Sequence, residues 1–459
     1  MKDFRAILNA NFDQMVASLA KVVSFNTERG AAVDGAPFGK EVKSCLDYTL
    51  KLATSFGLDT YDCDGYAGHA DFVGKGSEVL GILGHLDVVP AKAEEWLYPP
   101  YAGEIHDGKL YGRGTMDDKG PMIACLYAVK ALKDAGFEPK RTIRLIFGCD
   151  EESGMQCVEH YFTKMPYPTV AFSPDGDFPV INREKGIYQF NLVCGNLPQG
   201  VTLTAGERAN VVPSICNLFV RSPRGQVGAN DKSKIGQLDL GKWKDKITCK
   251  KVNGGYEYTV CGKSAHGSTP DEGVNATHVV LQMLAHNFPD NATLNFLANK
   301  VIDTTGAAWG INLRDEQSGK LTCNLGVLRT AADGTLSATV DIRFPVSYTC
   351  KQMYQLICAN TPTEFTVCEA HVSEPLHVPS NSALVTTLMD VYNTTMNTSL
   401  EPLAIGGGTY SRCLPNCVAF GPLFPGEEQT IHMPNECVDL TNLRKMAELY
   451  LEAIYQLAK

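Results

Sequence analysis

The chain has 459 residues, 44% of them hydrophobic and 20% charged, with a formal charge of -10. That length exceeds one ordinary core, so two or more domains are expected, and the composition is that of a globular enzyme rather than a disordered chain. There is no run of Lys or Arg able to track phosphates, which excludes nucleic acid as an expected partner.

Near the N-terminus, Phe12, Met15, Val16, Leu19 and Val23 follow helical spacing, while Asp3, Asp13 and Lys21 interrupt any apolar leader. An amphipathic helix of the mature protein is expected there. No stretch approaches the ~18 apolar residues of a membrane span, so no membrane partner is expected. Sixteen cysteines are scattered without a CxxC pair, which reads as reduced thiols in the cytoplasm.

Three apolar runs then end in polar residues of one kind. "VLGILGHLDVVP" (79–90) delivers His85 and Asp87; "RTIRLIFGCDEESG" (141–154) delivers Glu151 and Glu152; "PTVAFSPDGD" (168–177) delivers Asp175. The first two have the short, continuous character of strands buried on both faces. Between them a helix near 119–135 starts around Pro121, carries Met122, Ile123, Leu126, Val129 and Leu132, and stops at Gly136. Alternating strands and helices predict an α/β domain with a mainly parallel central sheet flanked by helices, and ligands bind beyond the carboxyl ends of such strands. From about 186 the texture changes to strand-like pieces ("IYQFNLVCG", "YEYTVCG"), a helix near 273–287 and an alternating, half-exposed strand over 334–344. This predicts a large α+β lid domain over 186–376, with room for two lobes. It interrupts a catalytic domain formed by 1–185 and 377–459, whose last element is a helix from about 439.

His85-x-Asp87 alone is weak, but period two puts both side chains on one face of a strand, and a carboxylate beside a histidine is a usual way to orient a metal ligand. The adjacent pair Asp117–Asp118, in "YGRGTMDDKGP", would alone be a solvated turn. Together, so many carboxylates aimed at one crevice repel each other unless cations neutralise them. His, Asp and Glu without thiolates suit zinc first, with manganese or cobalt as alternates. One divalent metal ion would not use every ligand on offer; two, roughly 3.5–4 Å apart and sharing a carboxylate of the aspartate pair, would.

In order, "GHLDVVP", "GRGTMDDKGP", "DEESG", "SPDGD", "GKSAHGSTPDEGVNA" and "IHMPNE" resemble the di-zinc peptidase family of carboxypeptidases, aminoacylases, desuccinylases and dipeptidases. "SPDGDFPV", "GERANVVPS" and the long insertion look most like its PepV-type dipeptidases. The resemblance implies that metal one is held by His85, Asp117 and Asp175, and metal two by Asp117, Glu152 and His432, with a cis peptide bond after the bridging Asp117. It makes Glu151 the general base for a metal-bridging hydroxide, Asp87 the partner that orients His85, and His266 the group that polarises the scissile carbonyl. Asn210 and Arg343 match positions that hold the oxyanion and the substrate carboxylate; alone, an Arg on a strand reads as a surface residue. Gly406, Gly407 and Gly408 offer N–H groups that could cradle a carboxylate. Cys149 stands where the family often has threonine. The implied activity is hydrolysis of dipeptides with a free amino terminus by a monomer. Deacylation of N-acyl amino acids is the alternative, and a metal-free binding protein fits poorly because every ligand position is filled.

Overall fold

The computed structural model describes residues 3–195, 197–222 and 238–459. Its contacts divide the chain into two units: one holds the chain up to Asn182 with His377–Leu403 and Gly408–Lys459, the other Arg183–Leu376 with Ala404–Gly407.

In the first unit the apolar run 79–85 is a strand, Val79–His85, buried from Leu80 onwards. It lies in parallel between Thr142–Gly148 and Val170–Ser173, and Cys417–Ala419 continues the parallel set beyond Val170–Ser173. A strand flanked on both sides has no edge and must be apolar throughout, which "VLGILG" supplies. Antiparallel strands close the sheet: Ala67–Phe72 and Asp59–Cys63 on one side, Ile181–Glu184 on the other. Helix Lys119–Asp134 is buried almost all round and packs on helix Leu440–Ala458 and on strands Val79–His85 and Thr142–Gly148. Its third residue is Pro121, tolerated because first-turn N–H groups have no partner within the helix. The parallel strands Val79–His85, Thr142–Gly148 and Val170–Ser173 end at His85, Gly148 and Ser173, so their carboxyl ends lead into the segments carrying Asp87, Glu151–Glu152 and Asp175.

The second unit is built on one antiparallel sheet of eight strands. In order these are Ile247–Val252, Gly255–Cys261, Ile215–Arg221, Val201–Ala205, Thr322–Thr330, Leu336–Phe344, Gly186–Cys194 and Thr366–Ser373. Helix Ala276–Asn287, capped by the Asn275 side chain on Thr277 N (3.0 Å), contributes Val280, Leu281 and Leu284 to the core of this unit. Buried residues of this sheet and of the helices on it form one hydrophobic core, and a separate two-stranded sheet joins Arg314–Asp315 to Gly319–Lys320. Strand Leu336–Phe344 alternates only over its first half; from Val340 to Phe344 every residue is buried, Asp341 and Arg343 included. The half-exposed reading fails there because the two charged residues bury each other. Among the described residues, no helix is long and apolar enough to cross a membrane.

Candidate active site

Strand Val79–His85 ends at a histidine whose ring is fully enclosed. His85 Nδ1 lies 2.9 Å from the main-chain oxygen of Asp87; a carbonyl only accepts, so Nδ1 carries a proton and the ring turns Nε2 towards Asp117. That Nε2 is 2.9 Å from Asp117 Oδ1. Asp87 thus holds His85 chiefly through its backbone, its carboxylate standing 3.5 Å from Nδ1. The carboxylate accepts the N–H groups of Glu151 (3.1 Å) and Glu152 (3.0 Å), tying the acidic loop to the histidine strand.

The Asp117–Asp118 peptide bond is cis. Asp117 lies between two imidazoles: Oδ1 meets His85 as above, and Oδ2 is 2.8 Å from His432 Nε2. His432, with φ of +62°, also places Nε2 2.9 Å from Glu152 Oε1. Asp175 accepts the N–H of Tyr410 at 3.4 Å, and the Tyr410 ring stands edge-on to His85. One ligand atom from each of His85, Asp117 and Glu152 falls within 4.8 Å of the others.

Charge accounts for the rest. Desolvation pushes Asp175 up to about 7, with repulsion from Asp117 adding to it. Glu151 is raised well above the usual carboxylate range by burial, with Asp175 and Glu152 repelling it. His432 rises to about 10: desolvation opposes protonation, but its hydrogen bonds to Asp117 and Glu152 prevail. The site demands positive charge, and its donors are oxygen and imidazole nitrogen without thiolate, a set that fits divalent zinc, manganese or cobalt. Cys149 is buried and its thiol raised well above its ordinary value by desolvation, so it stays neutral. A second group, Cys63, Asp64 and His160, also brings ligand atoms together. There the Lys164 ammonium and the His160 ring already share one oxygen of Asp64, supplying its counter-charge.

The remaining candidate residues, Gly408 apart, belong to the second unit. His266 sits in a loop zipped to the Asn210 segment: Gly267 N donates to Asn210 O (2.7 Å), and Val211 bridges to His266. Ser268 N donates to His266 Nδ1 at 3.2 Å, leaving the proton on Nε2, and desolvation together with Arg343 lowers the ring's pKa. His266 is therefore a neutral N–H donor. Arg343 is buried; its Nε and Nη2 reach Asp341 at 3.0 Å each, and Nη1 donates to Gly406 O at 3.0 Å. A side chain at Gly406 would meet Ser268 Cβ, so that position needs glycine for close approach, whereas one at Gly408 would meet the movable Arg412 guanidinium.

Sequence reasoning gave no role to Glu436, Arg113, Tyr410 or the Arg29–Asp150 ion pair, all in the first unit. Glu436 lay in plain view within "IHMPNE", but its partners are more than 300 positions away in the chain. Asp341 had a local signal, since D-x-R on a strand puts both side chains on one face.

The family described as "Peptidase family M20/M25/M40" matches residues 81–456. The Bacillus subtilis protein named "Putative dipeptidase YtjP" is 36% identical over 439 residues, covering 93% of this chain and 92% of that protein. A Staphylococcus aureus protein with the same kind of name is 34% identical over 462 residues, 97% of each. Among solved structures, human carnosine dipeptidase 1 superposes with a TM-score of 0.56 at 15% identity, covering 99% of this chain and 98% of that one. The M20 metallo-carboxypeptidase Sso-CP2 of Sulfolobus solfataricus gives 0.57 at 15% identity, covering 96% and 98%. These two establish the shared fold.

Proposed function

Because the chain belongs to peptidase family M20/M25/M40, a family of metal-dependent peptidases, we propose that it is a dipeptidase requiring a free amino terminus, working at a two-cation centre. The observation that carries this is Asp117, whose two oxygens each face a different imidazole nitrogen, at 2.9 and 2.8 Å. His85, Asp117 and Asp175 would hold one cation, zinc in the first instance, and Asp117, Glu152 and His432 the other.

When bound, such cations lower the pKa of water towards neutrality and draw charge from a carbonyl oxygen. The chain's own groups do the rest. Glu151 takes one proton from the attacking water and passes it to the leaving amine, ending as it began. His266, held neutral with its proton on Nε2, donates to the carbonyl oxygen as charge develops there, with Asn210 beside it. Arg343, aimed by Asp341, takes the substrate carboxylate, helped by N–H groups of Gly406, Gly407 and Gly408. Reading amine and carboxylate at opposite ends leaves room for about one peptide bond. In this reading 186–376 acts as a lid hinged near its two ends, and the enzyme works as a cytoplasmic monomer.

Chelation should abolish activity and Zn²⁺, Mn²⁺ or Co²⁺ restore it, with Ala-Ala-type dipeptides cleaved in preference to N-acetyl or N-succinyl amino acids. Faster turnover of the acylated substrates, of tetrapeptides or of amidated dipeptides would overturn the dipeptidase reading.

A further inference from the structure

Glu436 is fully buried, yet carries a charge that none of the catalytic steps above uses. An isolated buried carboxylate costs several kcal/mol, and a well-packed apolar residue would serve stability as well. Its surroundings explain why it is tolerated. Oε1 accepts the N–H groups of Met116 (2.9 Å), Gly114 (3.1 Å) and Asp117 (3.3 Å), and Oε2 accepts from Arg113 Nη1 at 2.7 Å. Its main-chain oxygen accepts from Gly112 N at 2.9 Å, and the next residues, Cys437–Asp439, pair with Lys109–Tyr111.

Glu436 follows His432 by four residues, and His432 and Asn435 both have left-handed backbone, so the loop between them has a defined course. Its other fixed point is Asn435 Oδ1, which accepts Leu97 N at 2.6 Å. The same loop that presents His432 therefore also grips the backbone of Asp117. We infer that Glu436, locked by Arg113, is a positioning residue: it sets Asp117 against His432 and so fixes the spacing of the shared ligand in the metal centre. With no exposed surface, it acts through Asp117 and not on the substrate itself. The inference rests on the reading of Asp117 and His432 as ligands.

Glu436→Gln tests it. Four donors converge on two carboxylate oxygens, and an amide has only one oxygen. Its NH₂ must then face either Arg113 or the three N–H groups, donor against donor. Loss of a partner that orients ligands costs ~10–100-fold in metal affinity. The readout is Zn²⁺ affinity by chelator competition on the full chain, beside Asp117→Ala and wild type. Weaker binding by that factor is expected, with KM little changed and kcat recovering in excess Zn²⁺. Wild-type affinity in Glu436→Gln, while Asp117→Ala loses its metal, would overturn the positioning role alone. Wild-type affinity in Asp117→Ala would instead overturn the ligand reading. Should Glu436→Gln fail to fold, Arg113→Lys replaces it, with a smaller loss expected and unchanged affinity counting against the inference.

Discussion

In the first unit four carboxylates, Asp117, Glu151, Glu152 and Asp175, face only two imidazoles; in the second, buried Asp341 is matched by one guanidinium, that of Arg343. Burial pushes Glu151 and Asp175 up, with the excess of negative charge adding to it, and against desolvation the hydrogen bonds to Asp117 and Glu152 hold a proton on His432. The second needs no added cation. Its pair holds a guanidinium with N–H groups to spare, which on the proposed reading receives an anion rather than a metal. A shortage of positive charge is what the proposed cations would meet, and the Arg343 fork is where the proposed reading puts the substrate's own charge.

Removing the base is the most severe way to probe this contrast. Glu151→Gln should keep its metals and lose ~10²–10⁴ in kcat, the usual share of a positioned acid/base. Its neighbour Glu152→Gln should instead lose metal, measured by elemental analysis. If Glu151→Gln turns over at the wild-type rate, the two glutamates have been assigned wrongly.

A smaller effect is expected in the second unit. Arg343→Lys keeps the charge but gives up the planar fork that grips Asp341. Loss of a charge-assisted hydrogen bond to the substrate carboxylate should raise KM by ~10–100-fold. Amidated dipeptides, poor substrates from the start, should respond far less. Equal losses on both substrates would place Arg343 in a structural role.

The last experiment expects no effect at all. Mixing His266→Ala with Glu151→Gln protein should restore nothing if each chain supplies its own His266. Recovered activity, with a dimer mass by light scattering, would show that the two units cooperate between chains instead.

What the sequence revealed depended on how far apart partners lie. The strands ending near His85 and Glu151 were legible because their signals are local: a short apolar run, then a cluster of polar residues. The choice of Asp117 as the proposed bridge came only from resemblance, since nothing local distinguishes Asp117 from Asp118. Asp118 does something else, accepting the backbone N–H of His85 at 3.2 Å. Asp87 was assigned to His85, which it meets through its main-chain oxygen and its carboxylate; that carboxylate also accepts the N–H groups of Glu151 and Glu152, partners set by tertiary structure. Arg343 looked like a surface residue because strand statistics ignore a partner two positions earlier. Glu436 was out of reach, since four hydrogen bonds from distant segments give it its meaning.

His432 stands 280 positions after Glu152. At ribosomal rates of roughly 5–20 residues per second, the later of these two groups is made about fifteen to sixty seconds after the earlier. Until then the nascent chain carries the base and most of the acidic ligands but not the group that completes the proposed centre. On the reading proposed above, the two-cation centre stays incomplete until His432 has been made.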